Sequence, residues 1–236
     1  MKLSTTLWIF LQSSKIFPAM RVLFLDTETN GLPKNSYALP SNIGNWPRVL
    51  QIAWQLWELV GGSFTKLSEV SFLIQPDPEM IWDAGAEKIH KLSRDRLCAE
   101  GLPGARVFGE FRAILEHAHV VVAHNIAFDR PVILAECLRA FGGSDWKWWW
   151  QIEYCTCENT KSICKLPSKR PSAADPYKRP RLQELYEFLH GVGATFDFHN
   201  AVADTECLVQ CFQKLLERRL VPVEDLERRL RVLGRL

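Results

Sequence analysis

The sequence predicts an α/β fold in which helices flank a mixed sheet. Three observations carry this. The apolar runs at 22–25 and 120–123 are unbroken, as in strands covered on both faces. Three early strand-like segments are joined by short turns. Helical periodicity then takes over, with one more strand inside it, so the order reads β-β-β-α-β-α-α.

Arg21 to Asp26 is the first strand, and Asn30-Gly31-Leu32-Pro33 breaks it as a turn. Val49 to Leu59 alternates and is rich in Trp and Leu, a second strand. Gly61-Gly62-Ser63 is a hairpin signal. Val70 to Gln75 is a third strand, stopped by Pro76 and Pro78, and the three suggest an antiparallel meander. Ala84 to Leu92 reads as a short helix. Val107 to His117 reads as a longer one, with Phe108, Phe111, Ile114 and Leu115 at helical spacing. Val120 to Ala123 is a buried strand. Asp129 to Phe141 is helical, with Pro131 in its first turn and Gly142-Gly143 at its end. Residues 182–190 and 201–218 are two more amphipathic helices. Residues 142–181 show no regular pattern, and prolines 167, 171, 176 and 180 mark a loop there. Glu224 to Arg229 reads as part of a short charged helix.

The 236 residues suit one domain over 21–218, with a leader at 1–20 and a charged helix at 219–236. The leader faintly resembles a signal sequence, but its apolar core is brief and no small-x-small cleavage site follows clearly. Met20 offers a second possible start. An apolar fraction of 47% excludes a disordered chain. No apolar run reaches the ~18 residues of a membrane helix, so no membrane partner is expected. The formal net charge is only +2, so nucleic-acid contact would need local basic patches. The seven cysteines read as reduced structural thiols, which suits a cytoplasmic protein. Cys155, Cys157 and Cys164 lack a clear fourth partner for zinc.

The chemistry lies in three islands. Asp26 and Glu28 end the first strand, Asp129 follows the strand at 120–123, and His199 precedes Asp204 by five residues. Each acid follows or interrupts an apolar run, where a lone charge is costly to bury. Period-2 geometry puts Asp26 and Glu28 on one face, where they repel each other unless a cation lies between them. An oxygen-only set favours hard ions, Mg²⁺ or Mn²⁺. Two such ions about 3.5–4 Å apart suit phosphodiester hydrolysis. His199 has the chemistry of a general base near neutral pH.

Together these islands resemble the motifs of the DEDDh, or DnaQ-like, 3′–5′ exonucleases. Asp26-Thr27-Glu28-Thr29-Asn30-Gly31-Leu32 matches the first motif, with Asn30 where many members have Thr. His124-Asn125-Ile126-Ala127-Phe128-Asp129 matches the second, and His199-x4-Asp204 the third. The segment Ala86 to His90 also resembles a recurrent family segment, with Lys91 where Gly is usual. The resemblance covers roughly residues 21–215 and keeps the motif order. It implies a ribonuclease-H-like mixed five-stranded sheet flanked by helices. It implies two Mg²⁺ or Mn²⁺ ions per site: one on Asp26, Glu28 and Asp204, one on Asp26 and Asp129. His199 would take a proton, and Thr27, Thr29 and Leu32 would line the pocket of the 3′-terminal nucleotide. Phe128, His90 and His124 join the substrate-contacting set.

The plainer readings stand beside these. His124 also reads as a strand cap, and His90 as a surface histidine. Trp146 and Trp148 read as packing, while Trp149 and Trp150 stay open between packing and stacking on unpaired bases. The basic run at 161–181 is a solvated loop or a phosphate track. The function expected is a metal-dependent 3′–5′ exonuclease that releases nucleoside 5′-monophosphates from a free 3′ end, with single-stranded DNA as substrate. An exoribonuclease or oligoribonuclease, and a non-catalytic nucleic-acid-binding module, are the alternatives. A polymerase or another nucleic-acid-processing protein is a conceivable partner.

Overall fold

The computed structural model describes residues 19–143, 149–172, 175–191, 193 and 199–236. Its strands are β1 (Met20–Thr29), β2 (Val49–Val60), β3 (Ser63–Leu73), β4 (Val120–Ala123) and β5 (Ile152–Cys155). Before β4 come α1 (Ala84–His90), α2 (Arg94–Glu100) and α3 (Gly104–Glu116); α4 (Ile126–Phe141) follows β4. After β5 come α5 (Thr156–Asn159), α6 (Lys161–Cys164), α7 (Leu182–His190), α8 (Ala201–Glu217) and α9 (Val223–Val232). Among the described residues the strands form one sheet in the order β3-β2-β1-β4-β5. β2 runs antiparallel to β1 and β3, while β4 is parallel to β1 and β5 is parallel to β4.

β1 is apolar without interruption because both its faces are covered. Leu23 and Leu25 enter one core with Trp54, Phe111, Val121 and Ile133. Val22 and Phe24 enter the other with Val122, Leu208 and Phe212. Phe24 meets Phe212 edge-on at 5.1 Å, so α8 is seated directly on β1. Each such aromatic carries about 3–5 kcal/mol against truncation to alanine.

Several boundaries differ from expectation, for local reasons. The third strand begins at Ser63, not Val70, and its first half is the exposed, polar part of a sheet edge. The Gly61-Gly62 turn supplies two positive φ angles, 55° and 89°, which suit a two-residue hairpin. α4 begins at Ile126, not Asp129. Asn125 adopts φ 80°, which turns the chain from β4 straight into the helix, and Pro131 therefore lies inside α4 rather than in its first turn. The segment 142–181 holds β5, α5 and α6, each too short to imprint a period. α2, capped by Ser93, was also not foreseen. It ends at Gly101, where a Cβ would lie 2.3 Å from the Leu97 carbonyl, so no side chain fits.

Trp149 is buried in the first core beside Phe111, and Arg235 lies over the ring of Trp150 at 4.0 Å. Trp146 and Trp148 fall outside the described residues. The cysteines are free, with Cys98 exposed and Cys137, Cys157, Cys164, Cys207 and Cys211 buried. No helix among the described residues is long and apolar enough to cross a membrane.

Glu136 ties α4 to the loop before β2. It is 2% exposed and accepts from Arg48 Nε (2.7 Å), Val49 N (3.1 Å) and Arg139 Nη1 (2.9 Å). Removing one partner of a buried ionic network strands the others. Glu136→Ala is expected to cost about 3–5 kcal/mol in urea denaturation with an unchanged slope.

Candidate active site

The carboxyl end of β1 gathers the acids. Asp26 and Glu28 emerge half-buried on the α8 side, two residues apart, where the β1–β2 register shifts between Glu28 and Thr29. Asp204 sits in the first turn of α8 and is 9% exposed. One carboxylate oxygen from each of Asp26, Glu28 and Asp204 lies within 4.8 Å of the others. Among the described residues no other group of acids, histidines or cysteines meets that test.

Asp129 approaches from the opposite layer. It is 3% exposed on the first turn of α4, and its Oδ1 accepts from Thr27 Oγ1 at 2.8 Å. It stands outside the group of three, yet its charge acts on both Asp26 and Glu28. Burial first, then the charges of Asp129, Asp204 and Glu28, hold the Asp26 carboxyl well above the usual range. Burial and the charges of Asp204 and Asp129 push Glu28 up to about 7. Burial pushes Asp129 up to about 7, against the lowering effect of the Thr27 hydrogen bond. Such a set fits a small hard cation, since added positive charge offsets the mutual repulsion that, after burial, raises Asp26 and Glu28.

The α8 end is placed from two sides. Asn200 caps it through Val202 N at 3.0 Å, and Gln51 Oε1 on β2 accepts from Ala201 N at 3.3 Å. His199, just before the helix, is exposed and has φ 71°. Its backbone amide donates to Asp204 Oδ2 at 3.0 Å, so the histidine is hinged on a carboxylate of the cluster.

His199 and Asp204 line a cavity of about 470 Å³ with His124, Asn125, Cys157, Arg179, Pro180, Arg181, Leu182 and Gln183. His124 is not free within it. Burial lowers it to about 4, so the ring is neutral at pH 7. Nε2–H donates to the Pro180 carbonyl at 3.0 Å, which leaves Nδ1 to accept from Thr156 Oγ1 at 2.9 Å. This histidine thereby fixes the Arg179–Arg181 loop against β4.

The other singled-out residues lie around the same end of β1. Thr27 and Thr29 are buried, and Thr29 Oγ1 donates to Gly31 O at 2.8 Å. Asn30 bridges to Arg48 N at 2.6 Å and to Ile81 O at 3.1 Å, a role its amide fills and a threonine would not. Leu32 is 82% exposed on the following turn. Phe128 packs half-buried against the first core. His90 is buried, which overturns the surface reading; its Nδ1 accepts from Leu92 N at 3.0 Å. Lys91, where relatives of the resembled family carry Gly, ends α1 at φ 59°.

The sequence reading did not find Gln51, Thr156 or Gln183. Gln51 and Thr156 act through contacts 150 and 32 residues away, and no local pattern marks such partners. Cys155 went unnoticed as a polar element. Its thiol is held low, at about 5, by the Cys157 hydrogen bond and by the backbone N–H groups of Glu158, Ile126 and Asn125.

No protein-family model and no curated protein sequence matches the chain. The fold does match solved structures. E. coli exonuclease I in complex with a dT13 oligonucleotide matches with a TM-score of 0.64 at 18% identity, over 85% of this chain and 42% of that one. Product-bound exonuclease I gives 0.63 at 17%, over 85% and 45%. The zinc-bound form of the E. coli exonuclease I–single-stranded DNA complex gives 0.62 at 17%, over 85% and 42%. The chain thus spans less than half the length of these structures. At such identity the likeness establishes the fold: a mixed five-stranded sheet flanked by helices, the ribonuclease-H-like architecture of exonuclease I.

The raised carboxyls set a pH dependence. Glu28 and Asp129 titrate near 7 when folded and near ~4 when unfolded, so between those values the folded chain keeps protons that the unfolded chain has released. The stability these two groups contribute to the ion-free protein is therefore fullest below pH ~4 and is lost as pH rises to about 7. Thermal melts in EDTA are expected to drop across pH 5 to 7.5. Millimolar Mg²⁺ or Mn²⁺ is expected to cancel that drop at pH 7.5 and to change little at pH 5.

Proposed function

We propose that this protein is a metal-dependent 3′–5′ exonuclease that cleaves phosphodiester bonds from the free 3′ end of single-stranded DNA and releases nucleoside 5′-monophosphates. The observation that carries the reading is the meeting of Asp26, Glu28 and Asp204 within 4.8 Å, with Asp129 acting on the same carboxyls and His199 hinged on Asp204. The matching structures include E. coli exonuclease I in complex with a dT13 oligonucleotide and with single-stranded DNA, which supports the same choice of substrate.

In this reading Asp26, Glu28 and Asp204 hold one Mg²⁺ or Mn²⁺, and Asp26 with Asp129 holds a second. When bound, the ions supply charge that lowers the pKa of water and offsets the charge on the departing oxygen. The remaining work belongs to side chains. His199 accepts the attacking water's proton on an imidazole nitrogen. Its exposure lets it reach solvent afterwards. Thr27 keeps Asp129 oriented, and its hydrogen bond favours the ionised carboxylate. Arg181, on the cavity rim, offers a charge to the incoming phosphates. Leu32 presents an exposed apolar edge to the terminal base or sugar. The turnover chemistry would thus sit between β1 and α8, with the strand entering along the 179–183 segment. A polymerase partner forms no part of the proposal.

The neighbouring reading is an exoribonuclease. Among the described residues, none around the cavity recognisably reads a 2′-hydroxyl, so equal-length DNA and RNA oligomers decide. With Mg²⁺ present, faster release from DNA is expected, and faster release from RNA would reverse the choice. A 3′-phosphate block is expected to stop release. Asp26→Asn is expected to lower turnover roughly 10³-fold or more, the equivalent of ~4 kcal/mol of charge stabilisation. His199→Ala is expected to cost roughly 10²–10⁴-fold with the fold intact. Equal, residual activity in wild type and Asp26→Asn would instead favour a binding module.

A further inference from the structure

Two thiols sit beside the acidic cluster and take no part in the proposed hydrolysis. Cys155 ends β5 and Cys157 begins the short helix α5 two residues later. Their sulfurs are 3.5 Å apart. Cys155 pairs with Ala123 at the end of β4, two residues before Asn125, and its thiol is held low by Cys157 first and then by the nearby amides of Glu158, Ile126 and Asn125. Asn125, the N-cap residue of α4, makes no side-chain capping hydrogen bond to the helix. That helix carries Asp129 in its first turn, and Cys155 lies near enough for its charge to act on Asp129.

Access favours this pair over the other thiols. Cys155 is half-exposed, and Cys157 lines the 470 Å³ cavity together with the exposed His199. Cys207 and Cys211 are fully enclosed in the second core and have no such opening.

We propose that Cys155 and Cys157 form a redox couple whose closure to a disulfide shifts the end of β5 against β4 and loosens the turn that leads to Asp129. The oxidant is a peroxide. Cys155 sulfur attacks one peroxide oxygen: an S–O bond forms, the O–O bond breaks, and the other oxygen leaves as water or alcohol with the thiol proton. Cys157 sulfur then attacks Cys155 sulfur: the S–S bond forms, the S–O bond breaks, and the oxygen leaves as water with the second thiol proton. The two sulfurs together lose two electrons and the peroxide gains them. A small dithiol reductant reverses the step. Drawing the sulfurs from 3.5 Å to bonding distance pulls on the end of β5, where Cys155 pairs with Ala123 just before the Asn125 turn.

The test is independent of any nuclease activity. The reduced full-length chain is treated with hydrogen peroxide, its free thiols are blocked, and it is digested for mass spectrometry. The expected product is a peptide holding both Cys155 and Cys157, lighter by about two mass units and unblocked, which dithiothreitol restores. Hydrogen exchange at residues 125–129 is expected to quicken roughly tenfold in the oxidised form and to recover on reduction. Cys157→Ser is expected to leave a sulfenic acid on Cys155 that dimedone traps. Oxidation of exposed Cys98 while the 155–157 peptide keeps both thiols would overturn the couple. A closed disulfide with unchanged exchange at 125–129 would overturn its link to Asp129.

Discussion

Like charges in a confined space govern this molecule. Asp26, Glu28 and Asp204 hold oxygens within 4.8 Å of one another, and Asp129 adds its field from the opposite layer. Left to itself such a set would separate or take up protons. The carboxyls here do the second, because the scaffold does not let them do the first. The site stores electrostatic tension that a bound cation would relieve, at the cost of stability without one.

What prevents separation is the placing of each acid on a different rigid element. β1 is covered on both faces and bonded to β2 and β4. Phe212 seats α8 against Phe24, while Gln51 on β2 holds the first amide of that helix. On the other layer, Glu136 with Arg48 and Arg139 ties α4 to the loop leading into β2. Thr27 and Asp129 then join that layer to β1 beside the cluster itself. Each link spans a large stretch of chain, so the geometry of the acids is a property of the whole sheet.

That arrangement also explains what could be read from the chain alone. The central strands were legible because double coverage writes an unbroken apolar run, and the acids because they interrupt such runs. The β3 edge was half hidden, since Thr65, Lys66 and Glu69 face solvent and erase the alternation. β5 has four residues, with only Ile152 and Tyr154 turned inward, too few to show a period. The α4 start was misplaced because a left-handed Asn125 leaves no pattern in apolar spacing. Gln51, Thr156 and Cys155 are ordinary polar residues until distant segments reach them, and that information is absent from any local window.

The hinge between His199 and Asp204 has a consequence of its own. Because the amide of residue 199 rests on the carboxylate of residue 204, substitutions at these two positions cannot act independently. Replacing the aspartate also frees the backbone that presents the imidazole, so its damage already includes part of the histidine's. The double variant would show pronounced epistasis, whereas pairing either change with one at Glu136 would come close to simple addition.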